Sequence, residues 1–278
     1  MPVVRVAAEP SGGACVTWIG ERRGSVVVRA LRVSKAVSIE WEYAFPVQGW
    51  AVDPRVGVDD RGGAVLWGTF QGAVSFPPTV EARSHVQARY VAHVGADGRV
   101  SWANVHRVEQ GSPHAITVGR DGGIALATVV QPLARAGRGA CRTLALVRLG
   151  AEGALLKVVR GGCDPTTLIP ALCLAPLAGG KLALAGYLSG ALHFRDRTLR
   201  SPTQATEAVF VACADESGEV SAAVFAVPQL SGGLSVHGAA DGGIIIAGWI
   251  CGAMTLGSHR IASPRDRAVL FLAKLAGH

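Results

Sequence analysis

The side chains of this chain that could do chemistry are few and widely separated. Asp53 and Asp164 fall in connections between predicted strands, and two carboxylates are the minimum that glycoside hydrolysis requires. No third acid accompanies them. His114 and His237 occupy equivalent positions of two sequence repeats and could meet at a metal, although a histidine held by ordinary hydrogen bonds is the commoner case. We therefore expect no catalytic residue, no metal site and no cofactor.

The common catalytic and nucleotide-binding motifs are absent from the sequence. It contains no G-x-S-x-G, no phosphate-binding loop, no dinucleotide fingerprint and no S-x-D-x-G-x-T-W box. Three aspartates recur in predicted turns (Asp60, Asp121 and Asp241), where we expect their carboxylates to brace the backbone. The six cysteines show no C-x-x-C spacing, so we expect free thiols, some of them small core residues. They are Cys15, Cys141, Cys163, Cys173, Cys213 and Cys251.

A Gly-Gly pair followed by two apolar runs recurs five times, and this period sets the fold. The pairs lie 50, 60, 57 and 63 residues apart, at Gly12-Gly13, Gly62-Gly63, Gly122-Gly123, Gly179-Gly180 and Gly242-Gly243. A period of this length made of strand-like pieces is typical of a β-propeller. We predict one all-β domain over 1–278, a single five-bladed β-propeller of four-stranded antiparallel blades. The predicted blades are 1–50, 51–110, 111–168, 169–230 and 231–278, and a β-sandwich or a solenoid is the alternative.

Each repeat is interpreted as four strands, A to D. In the second repeat these are 56–60, 64–68, 90–94 and 100–103, with a short extension at 72–76 after strand B. Strands B and C are continuous apolar runs, which predicts that both faces are covered, as in the inner strands of stacked blades. Trp18, Trp67 and Trp249 recur near the end of strand B, where we expect them to pack between blades.

The pattern D-x-x-G-x-hydrophobic-G-x-x-x-G-x-x-x-F followed by F-V-A-K-L-x-x-x-G, best seen in the fifth repeat, resembles the SBBP-type bacterial β-propeller repeat, and the resemblance covers essentially the whole chain. The matching residues are Asp241-Gly242-Gly243 through Gly252, and then 271–277. Asp121-Gly122-Gly123 and 209–212 with Gly218 also fit the pattern. The resemblance implies a propeller and a cell-surface or secreted setting. It carries no common catalytic residues.

The last repeat lacks a fourth strand in the sequence. Its strand C ends at Leu275, and three residues follow, so the predicted last blade is missing its outer strand. Strand C then has an unpaired edge, and exposed edges are pairing sites. We expect that a partner strand or a second copy of the chain completes this blade, with a three-stranded blade as the alternative.

The basic residues concentrate in the predicted connections between strands B and C. The net charge of the chain is +7, yet these five segments (20–24, 77–89, 131–142, 195–206 and 257–267) carry thirteen arginines and four acids, a sum of +9. In a propeller such connections emerge on one face, which predicts an Arg-rich face that binds an anionic partner. The residues predicted to bind it are Arg22, Arg23, Arg135, Arg138, Arg142, Arg195, Arg197, Arg200, Arg260, Arg265, Arg267 and Trp50. Trp50 falls with Pro46 and Gly49 in a predicted loop between strands D and A, which emerges on the same face. The alternative is that exposed loops simply collect arginine.

The sequence therefore favours a non-enzymatic interaction module or scaffold that binds an acidic protein. Nucleic acid is a less favoured partner because these connections contain no aromatic residues for base stacking. A lectin-like carbohydrate-binding propeller is the second interpretation, and a glycosidase that uses Asp53 and Asp164 is the third. No secretory signal and no apolar stretch of the roughly 18 residues that a membrane span needs is visible, so we expect a cytoplasmic protein with no membrane insertion.

Overall fold

The protein is all-β, with several antiparallel sheets, none of them closed. The computed structural model describes residues 4–9, 11–22, 24–76, 80–106, 111–130, 142–195, 197–201, 208–215, 217, 219–226, 231–256, 259–264 and 267–276. The chain divides into two compact units. The first comprises Met1–Leu126 with Val147–Lys157, and the second comprises Ala127–Leu146 with Val158–His278.

The described residues form twenty-two strands and one turn of 3-10 helix at Ala178–Gly180. The strands are β1 Val4–Ala8, β2 Ala14–Arg22, β3 Ser25–Val33, β4 Ile39–Val58, β5 Ala64–Phe76, β6 Val80–Val94, β7 Val100–His106, β8 Gly111–Val118, β9 Ile124–Val130, β10 Thr143–Leu149, β11 Leu155–Cys163, β12 Leu172–Pro176, β13 Leu182–Leu188, β14 Ala191–Phe194, β15 Arg197–Arg200, β16 Ala208–Ala214, β17 Val220–Ala226, β18 Ser231–Gly238, β19 Ile244–Ile250, β20 Ala253–Leu256, β21 His259–Ala262 and β22 Val269–Leu275.

The second unit contains a complete copy of the predicted repeat. Strands β12, β13, β16 and β17 form a four-stranded antiparallel sheet in chain order, which is the A-B-C-D order expected for repeat four. Repeat five forms a three-stranded sheet of order β18-β19-β22, so β22 lies at an edge of that sheet. Also in the second unit, β14 pairs with β15 and with the end of β11, at Gly162 and Cys163.

In the first unit, repeats one and two are joined into one seven-stranded meander, β1 to β7 in chain order. The join is β4, a 20-residue strand. Its first half pairs with β3 through Val47, and its second half pairs with β5 from Val47 to Val58. The prediction of a loop around Trp50 between strands D and A is therefore wrong. The backbone stays extended here because the opposite segment of β5 satisfies its hydrogen bonds, with a bulge between Val52 and Arg55.

The predicted loops between strands B and C also need correction. In repeat two, β5 continues through the extension to Phe76 and pairs with β6 from Val80 onward, so 80–89 is strand and not loop. In repeat four, β14 pairs with β15, and in repeat five β20 pairs with β21. Two-stranded hairpins replace loops because charged and apolar residues alternate in these segments, as in Val80-Glu81-Ala82-Arg83, and a period of two is the pattern of a strand.

Three apolar cores lie among the residues that the structure describes. One, inside the first unit, contains Phe45, Phe76 and Tyr90, whose ring centroids lie 4.6 to 5.5 Å apart. A second lies on the other face of β5 and β6 and includes Trp67, which is 1% exposed, against residues of β8 and β9. This confirms the predicted packing role of Trp67. The third core, in the second unit, covers repeats four and five with Tyr187, Ile246 and Phe271 among its members.

Two further tryptophans, Trp41 and Trp102, lie at contacts between consecutive repeats of the first unit. A Cβ atom added to Gly98 would lie 2.7 Å from Trp41 Cβ, and one added to Gly153 would lie 2.6 Å from Trp102 Cζ3. Each tryptophan is on strand D of one repeat, and each glycine is in the C–D turn of the next. Glycine is required because the aromatic side chain occupies the space that a side chain in the turn would need.

Candidate functional site

An acid–cation pair links the turn between strands A and B to strand C in several repeats. In repeat one the side chain of Arg32 donates to both carboxylate oxygens of Glu9, at 2.7 and 3.0 Å. In repeat five Lys274 pairs with Asp241. The cations occupy the same register, because Arg32 lies opposite Cys15 and Lys274 lies opposite Ile245, each the second residue of strand B. These pairs fix the turn to the sheet.

In repeat two the same position is held by a histidine, His93, which lies opposite Val65. Its Nε2 is 2.8 Å from Asp59 Oδ2, and its Nδ1 is 3.1 Å from Ser101 Oγ. Asp59 lies in the turn that follows β4, His93 lies on β6 and Ser101 lies on β7. Trp102 stacks on the imidazole, with ring centroids 5.9 Å apart and an interplanar angle of 17°. A hydrogen-bonded Asp–His–Ser chain thus occupies the place of a structural ion pair.

Asp59 also accepts hydrogen bonds from the backbone of its own turn. Its Oδ1 accepts from the backbone N–H groups of Arg61 and Gly63, at 2.9 and 2.7 Å. Burial opposes ionisation, but the hydrogen bonds from His93 and from these two N–H groups outweigh it and hold the pKa of the Asp59 carboxyl below its ordinary value. Asp59 is therefore a carboxylate at neutral pH, with one oxygen on the turn and the other on the imidazole.

A cleft of about 540 Å³ opens beside this chain of hydrogen bonds, entirely within the first unit. His93, Ser101 and Trp102 line it together with the apolar side chains of Val65 and Val118. Its charged lining residues are Asp59, Asp60, Arg61, Arg120, Asp121 and Glu152. The cleft therefore offers a nucleophile, a base and charges of both signs around an apolar wall.

Two of the three aspartates predicted to brace the A–B turns do so in the structure. Asp121 Oδ1 accepts from Gly123 N–H at 3.0 Å and Asp241 Oδ1 from Gly243 N–H at 3.2 Å, as predicted. In repeat two, however, the carboxylate that accepts from the turn is Asp59 and not Asp60. His93 and Ser101 were missed altogether, since 34 residues separate Asp59 from His93 and only the strand register brings them together.

The two carboxylates considered for glycoside hydrolysis are each held by basic neighbours. Asp53, in the first unit, has a positive φ of 52° and accepts from Arg5 at 2.9 Å and from Arg55 at 3.2 Å. Asp164, in the second unit, accepts from or pairs with His193 Nε2 at 2.9 Å. His193 Nδ1 is in turn 3.0 Å from Thr198 Oγ1. Within the described ranges, no group of three or more His, Cys, Asp or Glu side chains could hold a metal ion.

The predicted partner-binding residues lie on hairpins and strand ends where the structure describes them. Arg22, at the end of β2, is exposed. Arg195, Arg197 and Arg200 are exposed around the β14–β15 hairpin, and Arg260 is exposed on β21. Arg267 is exposed and Arg142 is half-buried just before β10. Trp50 is 45% exposed on β4. Arg23, Arg135, Arg138 and Arg265 lie outside the described residues.

Arg89, which the predicted loop of repeat two placed among the exposed arginines, is buried. It is 5% exposed, and its guanidinium carbon lies 5.8 Å from the ring centroid of Trp67. Burial lowers the pKa of this guanidinium to about 10. Arg89 therefore does not contribute to the exposed basic surface, because it lies on a packed face of β6 and not in a loop.

No protein-family model matches the chain, and no curated protein matches it. Among solved structures, a protein of unknown function from Dyadobacter fermentans is similar, with a TM-score of 0.55 and 9% identity over 89% of this chain and 74% of that one. A Synechocystis apocarotenoid oxygenase mutant has a TM-score of 0.48 at 11% identity, and a Hadza microbial sialidase has 0.47 at 10%. The chain spans 62% of each of those two enzymes. At these identities the likeness concerns the fold alone.

Three further predictions from the sequence concern the repeat family, membrane-spanning segments and the cysteines. The resemblance to the SBBP-type repeat stays a prediction. Over the part of the chain that the structure describes, no helix is long and apolar enough to cross a membrane. The cysteines described (Cys15, Cys163, Cys173, Cys213 and Cys251) are free thiols, as predicted, and Cys141 lies outside the described residues.

Proposed function

We propose that this protein is an interaction module, a five-bladed β-propeller whose Arg-rich hairpins bind an acidic protein. The repeat of strands A to D supports the propeller, with a complete four-stranded sheet in repeat four and three strands of the same order in repeat five. The observation that carries the binding role is the β14–β15 hairpin, which exposes three arginines within six residues.

The geometry of this hairpin favours a partner rather than internal ion pairing. Its inward side chains, Leu192 and Leu199, are buried at 0% and 5% exposure and anchor the hairpin to the unit. Arg197 and Arg200 are nevertheless exposed, and the one described contact of Arg200 with an acid is a 3.9 Å approach to Asp164. A firmly anchored hairpin with projecting guanidinium groups loses little conformational freedom on binding.

The chemistry of the exposed groups favours carboxylate partners. Guanidinium groups pair with carboxylates through two parallel hydrogen bonds. The described part of this hairpin contains no Trp or Tyr, and its Phe194 is 8% exposed. Nucleic-acid surfaces usually add aromatic rings for base stacking. An acidic protein surface therefore fits the hairpin better than a phosphate backbone does.

The proposal is tested with poly-L-glutamate as a model acidic chain. The variant Arg195→Glu/Arg197→Glu reverses two charges on the hairpin, and we expect it to weaken binding at least tenfold, about 1.4 kcal/mol. The matched control is Arg61→Glu/Arg99→Glu, which makes the same change of net charge in the A–B and C–D turns of repeat two. Equal loss in both variants would show that only net charge matters and would overturn the proposal.

The second interpretation, a carbohydrate-binding propeller, is supported by one exposed aromatic side chain. Trp50 is 45% exposed in the middle of β4 and could stack on a sugar ring. Binding of a glycan that survives high salt and disappears in Trp50→Ala would favour this function. Completion of the three-stranded sheet of repeat five by an added strand at β22 stays a prediction.

A further inference from the structure

The acid–cation pairs of the repeats differ in one chemically important respect. Arg32 and Lys274 are permanent cations that can only donate hydrogen bonds, whereas His93 at the same register can accept one on its unprotonated ring nitrogen. Among the described pairs of this kind, the histidine is the one that lines the 540 Å³ cleft. Repeat two thus departs from the repeat at the place where a cavity is present.

For the neutral imidazole, the hydrogen bonds fix which ring nitrogen is the acceptor. Asp59 is ionised and can only accept, so His93 Nε2 carries the proton that it donates across 2.8 Å to Oδ2. The lone pair of Nδ1 is then directed at Ser101 Oγ, 3.1 Å away. The stacked ring of Trp102 holds the plane of the imidazole. This is the arrangement of nucleophile, base and orienting carboxylate that activates a serine hydroxyl.

The surroundings suit attack on a small carbonyl compound. Ser101 is exposed and lines the cleft, while the side chains of His93 and Asp59 are 20% and 12% exposed, so the base and its carboxylate are partly protected from water. Val65 and Val118 give the cleft an apolar wall. Arg61 and Arg120 line the same cleft beside four acidic side chains, and theirs are the groups that we expect to donate to an oxyanion.

We propose that Ser101 is a nucleophile that hydrolyses small carboxylic esters in this cleft, a second activity independent of acidic-partner binding. Ser101 Oγ forms a bond to the carbonyl carbon as its proton passes to His93 Nδ1, and the carbonyl π electrons move to oxygen. When the carbonyl re-forms, the bond to the alcohol oxygen breaks, and the leaving alkoxide takes the proton from His93. Water then attacks the acyl-serine by the same route, which returns the hydroxyl and releases the acid.

The second unit offers an internal control. Asp164, His193 and Thr198 form a hydrogen-bonded chain of the same kind, with 2.9 and 3.0 Å contacts, but His193 and Asp164 are 39% and 40% exposed. Hydration weakens both the hydrogen bonds and the electrostatic stabilisation of charge at such a site. We expect this chain to be unreactive.

The experiment uses a fluorophosphonate probe and p-nitrophenyl acetate on the whole protein. We expect covalent labelling at Ser101, identified by mass spectrometry, and ester hydrolysis that falls about 100-fold or more in Ser101→Ala. His93→Arg restores the carboxylate–guanidinium pair of repeat one while it removes the base, so it should fold and be equally inactive. Thr198→Ala should keep full labelling.

Asp59 acts through His93 and is a positioning residue. Asp59→Asn keeps the Oδ1 bonds to the turn but presents an amide N–H₂ to Nε2, which reverses the tautomer and blocks Nδ1. We expect a shifted pH profile of labelling with little change of thermal stability, an effect that a purely structural role would not produce. Labelling of the wild type no faster than of Ser101→Ala, or unchanged labelling in a folded His93→Arg variant, would overturn the proposal. Neither result bears on the binding of poly-L-glutamate.

Discussion

The paired charges of Glu9 and Arg32 should stabilise the first unit far more than the related pair in the last repeat stabilises the second. The side chains of Glu9 and Arg32 are 2% and 18% exposed, and two hydrogen bonds join them. Those of Asp241 and Lys274 are 61% and 52% exposed. The perturbation is Glu9→Gln, which keeps the side-chain shape and removes the charge.

The expected loss of stability in Glu9→Gln follows from the burial of the Glu9–Arg32 ion pair. Breaking a buried ion pair costs about 3–5 kcal/mol because one charge is left uncompensated. Arg32 keeps a second contact, 3.0 Å to Glu40, which partly compensates its charge, so we expect a loss at or just below that range, about 2–3 kcal/mol. For a protein of this size that corresponds to a fall of roughly 5–10 °C in the melting midpoint. Asp241→Asn should produce no measurable change, because exposed pairs are well solvated.

The pH dependence gives an independent check. The hydrogen bond from Arg32 holds the pKa of the Glu9 carboxyl below its ordinary value of 4.5. A carboxyl with a lowered pKa in the folded state stabilises fully above the unfolded value and loses this contribution as pH falls through the folded one. The difference between wild type and Glu9→Gln, measured by chemical denaturation, should therefore be constant above pH 4.5 and shrink below it. A difference that grows on acidification, or equal effects of Glu9→Gln and Asp241→Asn, would refute this explanation.

Two further predictions concern the space around Gly63 and the reactivity of two thiols. A Cβ atom at Gly63 would lie 2.5 Å from Asp59 Oδ2 and 2.7 Å from His93 Nε2, so Gly63→Ala should cost about 1–3 kcal/mol, whereas Gly162→Ala, with open space around it, should not. Burial raises the pKa of the Cys15 and Cys173 thiols to about 12, so iodoacetamide at pH 8 should leave both unmodified in the native protein and modify both once it is unfolded. Rapid native-state alkylation of either thiol would contradict the raised pKa of that thiol.

The strands of the repeats were predictable because the Gly-Gly period marks the A–B turn and the apolar runs after it mark strands B and C. Strand β13, at Leu182–Leu188, begins after such a pair and pairs with β12 and β16 as expected. The boundaries between repeats were not predictable from the same signals. Pro46 and Gly49 suggested a loop, but both lie inside β4, where pairing with β3 and β5 overrides their local preference.

The Asp59–His93–Ser101 site could not be predicted from the sequence for a different reason. Asp59, His93 and Ser101 form no local motif, and each is an ordinary residue of a turn or strand when taken alone. Only the pairing of His93 with Val65 across β5 and β6 places the imidazole over the turn that holds Asp59. Tertiary register, and not residue spacing, creates this site, so sequence reasoning can find it only after the strand pairing is known.

The role of the β14–β15 hairpin is tested most directly by the salt dependence of binding to poly-L-glutamate, measured by calorimetry on the whole protein. If guanidinium–carboxylate contacts dominate, the affinity should fall more than tenfold between about 0.05 M and about 0.5 M salt, because screening shortens the reach of exposed charges. Poly-L-lysine should not bind. An affinity for poly-L-glutamate that stays constant over this range would contradict a docking surface made of arginines.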